Sequence, residues 1–200
     1  MSEMLPLFPL GTVLMPGGRL SLRVFEQRYL SLIKQCLRDE TVFGIVLINE
    51  GSEVAKPGSE TELEITGVTA RIVDWDTTPD GLLGITVEGE DRFSIVSSHR
   101  QADGLIVADV EYWVEEDSIP LPEDVDDLID LLAQLAEHPH IKRMGVQLGI
   151  EDANALSNCL VQLLPLPEQL KYEMLEIGDA IERLDFLYEI LDEMSEEGAG

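Results

Sequence analysis

Cysteine and basic residues are scarce in this chain of 200 residues. Cys36 and Cys159 are the only two cysteines, too few to hold a domain of this size with disulfides. Only 13 Lys and Arg stand against 40 Asp and Glu, which gives a net charge of −27. A field of this sign repels nucleic-acid phosphates and anionic lipid headgroups, so neither nucleic acid nor a membrane is expected as a partner.

Long apolar runs are also missing. No stretch approaches the ~18 consecutive apolar residues of a membrane span. The first 14 residues carry Glu3 and are interrupted by Pro6 and Pro9, unlike a secretory signal peptide. We therefore expect a cytoplasmic protein.

The common signatures of catalysis and metal binding are absent from the sequence. It contains no Walker-type phosphate loop, no G-x-S-x-G elbow, no H-E-x-x-H pair and no C-x-x-C. Both cysteines lie on apolar helical stripes, where core packing is the favoured interpretation. His138 and His140 flank Pro139, which favours a solvated loop over a metal site. We expect a protein that is not an enzyme and needs no cofactor or metal.

The period of the hydrophobic pattern changes near residue 118. Residues 41–114 show strand patterns, including an apolar run at 42–48 and alternation over 106–114. Leu63 and Ile65 are expected to point inward on one parity and Val68, Ala70 and Ile72 on the other, so the inward face switches at Thr66 and Gly67, which predicts a β-bulge. Residues 79–81 predict a turn, and residues 89–91 predict a bend or break in the strand that follows.

Helical periods precede and follow this β region. The first helix is predicted at residues 26–38, on a stripe that includes Phe25 and Tyr29. A second helix is predicted to start near Pro122, and a short helix to end at Gly149. The next helix is predicted to be capped by Asp152 and to stop at Pro165 and Pro167. The last helical segment is predicted to break at Gly178 and to end in a frayed tail from Ser195. The predicted class is α+β, with a β-rich domain at 1–117 and a helical domain at 118–200. Aspartates at 124, 126, 127 and 130 are interpreted as a solvated helix face, because the calcium-loop pattern is missing.

The first 30 residues carry a specific set of motifs. These are LPLFPL at 5–10, which contains the motif PLFPL, a Pro-Gly-Gly turn at 16–18 and FEQRY at 25–29, followed by GVTARI at 67–72, DGLLGITVEG at 80–89 and Arg92-Phe93. In this order and at this spacing they resemble the amino-terminal substrate-recognition domain of Lon-type ATP-dependent proteases. Together with LLPLP at 163–167, the resemblance is to bacterial members that stand alone, without the ATPase and peptidase domains.

The resemblance implies both a fold and a role. The fold would be a PUA-like pseudo-barrel holding one helix, joined to a helical bundle. The role would be a non-catalytic module that binds polypeptide segments or a protein partner and is linked to proteolysis or quality control. Two alternatives stay open: a PUA-like module that binds RNA, and an enzyme whose motif the sequence does not reveal.

Candidate binding residues follow from the motifs. An apolar cleft with a basic rim is predicted, with Tyr29 as the first choice for an exposed rim residue because its hydroxyl suits a rim. The competing interpretation is that the arginines brace the helix against the sheet through carboxylates such as Glu26. The predicted set is Phe8, Leu10, Arg23, Phe25, Glu26, Arg28, Tyr29, Arg71, Arg92 and Phe93.

Overall fold

The computed structural model describes residues 3–50, 62–114, 118–144 and 150–198. The chain divides into two compact units, Met1–Val114 and Glu115–Gly200. The predicted boundary after residue 117 adjoins residues 115–117, which lie outside the described residues. The first unit holds the strands and one helix, and the second holds helices, so the predicted α+β class is confirmed.

In its described residues, the first unit contains six strands, with one helix between the second and third strands. In chain order they are β1 (Glu3–Leu10), β2 (Arg19–Val24), α1 (Gln27–Asp39), β3 (Phe43–Glu50), β4 (Glu62–Thr77), β5 (Leu83–Arg100) and β6 (Ile106–Tyr112). The sheet order is β2-β5-β4-β3-β1-β6, and β5 also pairs with β6. This last pairing closes five strands into a barrel and leaves β2 as an additional strand on β5.

Strand β5 is long enough to serve two neighbours in succession. Its first part pairs with β2 from Leu83 to Glu88, and its last part pairs with β6 from Phe93 to Arg100. Between these parts the register against β4 shifts, and the Asp91 N–H donates to Thr69 Oγ1 at 2.9 Å. The predicted interruption at residues 89–91 is therefore a bulge within one continuous strand.

Strand β4 contains the second predicted irregularity. Its register with β3 shifts between Gly67 and Leu63, which confirms the bulge predicted at Thr66 and Gly67. The five residues from Thr66 to Ala70 are all buried, whereas Ile65 is 62% exposed. The expectation that Ile65 points inward is wrong, because the bulge turns that side chain outward.

Two prolines lie within β1, where a missing N–H would normally break a ladder. Residues 3–7 of β1 pair with β6, and residues 7–10 pair in parallel with β3. Pro6 and Pro9 therefore each stand where β1 has a partner strand on one side only. This arrangement lets the PLFPL motif close the barrel.

The barrel core is built around Phe93, which is fully buried. Glycines on the neighbouring strands provide its space: a Cβ on Gly67 would lie 2.5 Å from Phe93 Cζ, and a Cβ on Gly44 would lie 2.7 Å from the same atom. The surrounding buried cluster comprises Leu5, Leu7, Val46, Ile106, Ala108 and Val110.

The second unit contains five described helices. They are α2 (Asp126–Ala136), α3 (Pro139–Met144), α4 (Ala153–Leu163), α5 (Glu168–Glu176) and α6 (Ala180–Gly198). Asp152 caps α4 as predicted, since its Oδ1 accepts from the Ala155 N–H at 2.8 Å. Pro165 and Pro167 separate α4 from α5, and Gly178 lies in the break before α6. Among the described residues, no helix combines the length and apolar character needed to cross a bilayer.

Three helix boundaries differ from the expectation or lie beyond what is described. Helix α2 begins at Asp126 with Val125 as its N-cap residue, so Pro122 does not start it. Helix α6 extends to Gly198, into the tail predicted as frayed. The predicted helix end at Gly149 lies outside the described residues.

One buried arginine organises the helical unit. Arg183 is 1% exposed, and its guanidinium donates to Ser157 Oγ at 2.9 Å and to Asn158 Oδ1 at 3.0 Å on α4. It also donates to the carbonyls of Met174 at 3.2 Å and Ile177 at 2.6 Å. Burial lowers the pKa of Arg183 to about 10, and these four acceptors offset part of the cost of burying the charge.

Candidate functional site

A groove of about 330 Å³ lies beside β2 in the first unit. It is bounded by the end of β1, the strand β2 and the start of α1, and we call it the β2 groove. Its lining residues are Phe8, Leu10, Thr12, Ser21, Leu22, Arg23, Val24, Phe25, Glu26 and Tyr29. Six of the ten predicted binding residues therefore line one surface: Phe8, Leu10, Arg23, Phe25, Glu26 and Tyr29.

The local chain path explains why these residues meet. After β1, the predicted turn at Pro16 and Gly17 reverses the chain, with Gly17 at a φ of 72° and the Gly18 N–H donating to the Met15 carbonyl at 2.9 Å. Strand β2 then runs to Val24, and Glu26 is the N-cap residue of α1. A strand end, a strand and a helix start thus lie together within the first 30 residues.

The aromatic residues of the groove differ sharply in exposure. Tyr29 is 4% exposed, and its ring stacks on Phe8 with centroids 3.9 Å apart and planes 8° apart. The expectation that Tyr29 is an exposed rim residue is wrong, because this stack holds the ring in the groove floor. Phe25 is 55% exposed; it precedes α1 instead of lying on its buried stripe, and it forms the rim.

Arg28 braces the start of α1, as the competing interpretation predicted. Its Nη2 lies 3.0 Å from Glu26 Oε2, and its Nη1 donates to the Gly104 carbonyl at 2.8 Å. The guanidinium also lies 4.5 Å from the centroid of the Tyr29 ring. Arg28 itself is buried, so it fixes the groove wall from behind and is not a groove-lining residue.

The remaining arginines do not form a shared basic rim. Arg23 lines the groove, but its guanidinium is bonded to Asp80. Arg71 lies elsewhere and pairs with Glu88 at 3.0 Å and Glu90 at 2.5 Å. The predicted basic rim is therefore wrong, because carboxylates of β5 and of the turn before it already hold these side chains.

Two further predicted residues lie away from the groove. Arg92 is buried, with its guanidinium 4.5 Å from the centroid of the Trp113 ring. Phe93 is fully buried in the barrel core. The expectation that Phe93 lines the cleft is wrong, because its position on β5 turns the ring between Gly44 and Gly67.

Four lining residues are absent from the predicted set, and three of them, Ser21, Leu22 and Val24, belong to β2, which was not predicted as a strand. Leu20, Leu22 and Val24 alternate with Arg19, Ser21 and Arg23, which is the pattern of a half-buried strand. That alternation could have identified β2. The fourth missed residue, Thr12, follows β1 and carries no comparable signal.

The thiols of the chain have environments that suppress their reactivity. Burial raises the pKa of Cys36, whose Sγ lies 3.9 Å from the Val42 carbonyl oxygen. Burial also raises the pKa of Cys159 to about 11. Both groups are therefore protonated at neutral pH, unlike the thiolate that a nucleophilic cysteine requires. In the part of the chain that is described, no group of three or more His, Cys, Asp and Glu is arranged to hold a metal ion.

Comparisons with known proteins agree with the resemblance seen in the motifs. Two curated relatives are Lon protease from Anaeromyxobacter dehalogenans, 28% identical over 96% of this chain and 23% of its own length, and Lon protease 2 from Myxococcus xanthus, 29% identical over 97% and 24%. The chain thus spans about a quarter of these relatives.

Solved structures share the fold. The Lon N-terminal domain protein from Xanthomonas campestris is 31% identical, with a TM-score of 0.74 over 93% of this chain and 97% of that one. The N-terminal domain of Mycobacterium avium complex Lon protease, at 18% identity and a TM-score of 0.64, shows the same fold. The family model of the substrate-binding domain of ATP-dependent protease La (Lon) matches residues 4–193. The chain therefore belongs to the Lon substrate-binding domain family.

Proposed function

We propose that this chain is a substrate-recognition module linked to proteolysis and that its β2 groove binds apolar segments of unfolded polypeptides. The observation that carries the proposal is the 55% exposure of Phe25 at the mouth of a groove floored by buried apolar side chains. Membership of the Lon substrate-binding domain family supports the same role.

Apolar contact supplies the binding energy in this proposal. Burying one aromatic or aliphatic side chain contributes about 1.5–3 kcal/mol, whereas an exposed ion pair contributes about 0–1 kcal/mol. The charged groups of the groove are already paired, Arg23 with Asp80 and Glu26 with Arg28. A bound segment therefore gains little from ion pairing and most from covering Phe25 and Leu22.

The net charge of −27 restricts which polypeptide segments can bind to the β2 groove. It repels acidic polypeptides, although at physiological salt the repulsion is screened beyond about 8 Å. Neutral or weakly basic apolar segments fit the groove best. The pairing of Arg23, Arg28 and Arg71 with carboxylates leaves the RNA-binding alternative without supporting evidence.

The test uses a short synthetic peptide in which Phe, Leu and Val alternate with Ser and Lys, carrying a neutral fluorophore. Anisotropy measures its affinity for the wild-type chain and for Phe25→Asp. Val96→Asp is the matched control, because Val96 is 56% exposed but lies outside the groove. We expect Phe25→Asp to weaken binding at least about tenfold, the equivalent of losing about 1.4 kcal/mol of contact, and Val96→Asp to leave it unchanged.

Salt dependence separates the apolar mechanism from an electrostatic one. Affinity for the peptide should change less than about threefold between low and high salt, because exposed ion pairs contribute little. Equal affinity of the wild-type chain and a folded Phe25→Asp variant would refute the β2 groove as the binding site.

A further inference from the structure

No described strand pairs with the edge of β2 that borders the groove. Strand β2 pairs with β5 alone among the described strands, and six consecutive residue pairs run from Arg19↔Glu88 to Val24↔Leu83 without a register shift. It contains no proline and no bulge. Natural proteins commonly use such irregularities to protect an open edge, so this edge is suited to pairing.

The ladder shows which backbone groups point toward that open edge. The Gly89 N–H donates to the Gly18 carbonyl at 2.9 Å, while the Gly18 N–H donates to the Met15 carbonyl in the turn. The Gly18 carbonyl therefore points toward β5 and sets the phase of the ladder. Hydrogen-bonded and non-bonded pairs alternate along an antiparallel ladder. Leu20, Leu22 and Val24 therefore bond to β5, whereas the N–H and C=O groups of Ser21 and Arg23 point away from it.

Another open edge in the same unit is protected, which makes the contrast informative. Beyond Ala70, β4 pairs with β5 but not with β3. There the Trp75 N–H donates to Asp74 Oδ1 at 2.9 Å, and the Thr77 N–H donates to Asp76 Oδ1 at 2.6 Å. Side-chain bonds of this kind compete with strand pairing, and they occupy the donors that a further strand would need.

We propose that the bound polypeptide adds to the open edge of β2 as a new strand, pairing with the backbone of Ser21 and Arg23. This inference rests on the proposed function and specifies how the β2 groove recognises its ligand. Ser21 and Arg23 both line the groove, so a strand paired with them lies along it. Alternate ligand side chains then stand on the same sheet face as Leu22 and cover the apolar floor.

Strand addition would let the groove tolerate many ligand sequences and still select for apolar side chains. Main-chain hydrogen bonds supply affinity that does not depend on sequence, while the groove selects apolar side chains at every second position. A folded protein whose backbone is already paired cannot bind in this way. The ligand class is therefore an extended, unpaired segment with apolar residues in alternation.

The first arm of the test is amide hydrogen exchange by NMR, with and without the alternating peptide described above. The Ser21 and Arg23 amides should exchange at least about tenfold more slowly in the complex, since each gains a hydrogen bond. The Leu22 and Val24 amides should change little, because the β5 ladder protects them already. The Trp75 and Thr77 amides on the protected edge provide the internal control.

The second arm uses two N-methylated versions of the peptide. One is methylated at the odd-numbered residues and the other at the even-numbered residues, and these are the two frames. One frame removes the donors that face β2 and should weaken binding about tenfold or more, while the other should bind nearly as the parent does. Equal affinity of both frames, with unchanged exchange at Ser21 and Arg23, would overturn strand addition. Provided that Phe25→Asp still weakens the parent peptide, the proposed function would stand; failure of the parent peptide to bind at all would overturn both.

Discussion

The glycines around Phe93 offer a sharp test of how the barrel is packed. Replacing either Gly44 or Gly67 with Ala should destabilise the first unit by about 1–3 kcal/mol, the usual cost of overpacking. The surroundings of the two positions nevertheless differ. The three atoms nearest to a Cβ on Gly44 would be side-chain ends, Leu7 Cδ2 at 2.7 Å, Phe93 Cζ at 2.7 Å and Leu5 Cδ2 at 2.9 Å, whereas a Cβ on Gly67 would meet the Ile45 carbonyl oxygen at 2.6 Å.

Shortening Phe93 should therefore rescue one substitution and not the other. Phe93→Leu alone should cost about 1–2 kcal/mol, less than the ~3–5 kcal/mol of truncation to Ala. In that background, Gly44→Ala should cost less than about 1 kcal/mol, because the leucine ends can turn into the vacated space. Gly67→Ala should keep most of its cost, because the backbone of β3 cannot move away. The coupling free energy with Phe93 should thus be larger for Gly44.

Tryptophan fluorescence provides an assay specific to the barrel. The chain has two tryptophans, Trp75 and Trp113, and both belong to the first unit. Urea titrations followed by their emission give the free energy of unfolding of each variant in the intact chain. If Gly44→Ala costs as much in the Phe93→Leu background as in the wild type, the assignment of this clash to the ring is wrong.

Three further predictions concern the helical unit and the division of the chain. Arg183→Met should lose about 3 kcal/mol of stability, because the four acceptors around the guanidinium would be left without donors, and Arg183→Lys should lose less. Thermal unfolding followed by far-ultraviolet circular dichroism measures both variants, and a Met variant as stable as the wild type would show that the acceptors find other donors. Asp152→Ala should cost about 1 kcal/mol by removing the cap on the Ala155 N–H, whereas Asp152→Asn should cost less, and equal thermal midpoints of the wild type and Asp152→Ala would contradict the capping role. We also propose that the two units fold separately, so a chain ending at Val114 should keep the tryptophan emission and cooperative urea transition of the barrel; loss of that transition would contradict the proposal.

Local features of this fold were readable from the sequence, and features set by distant contacts were not. The α1 helix, the Asp152 cap and the bulge near Gly67 depend on periodicity, a capping side chain and a parity switch within a few residues. The burial of Tyr29 on α1 depends on Phe8, which lies on β1. A helical stripe marks an inward face but does not tell how deeply each residue on it lies.

The ion pairs around the candidate site were not predictable either, because they also depend on distant contacts. Carboxylates are so numerous in this chain that the sequence could not show which of them would meet Arg23 or Arg71. Asp80 reaches Arg23 and Glu88 reaches Arg71 only because the fold brings these distant parts of the chain together. Arg183 could have been noticed, because it interrupts the apolar stripe of α6 between Ala180 and Leu187, but its acceptors on α4 could not.

The pairing of β1 with β6 sets the order in which a ribosome can complete this unit. Glu3 faces Val110 and Leu7 faces Ile106, so residues 3–7 of β1 have no partner strand until β6 is made, whereas residues 7–10 can pair with β3 earlier. Until then the emerging chain leaves residues 4–7 unpaired by β6, a short apolar segment of the class that the β2 groove is proposed to hold. Strand pairing across such a separation is slow, and during that interval the nascent chain is itself exposed to capture by proteins that bind apolar segments.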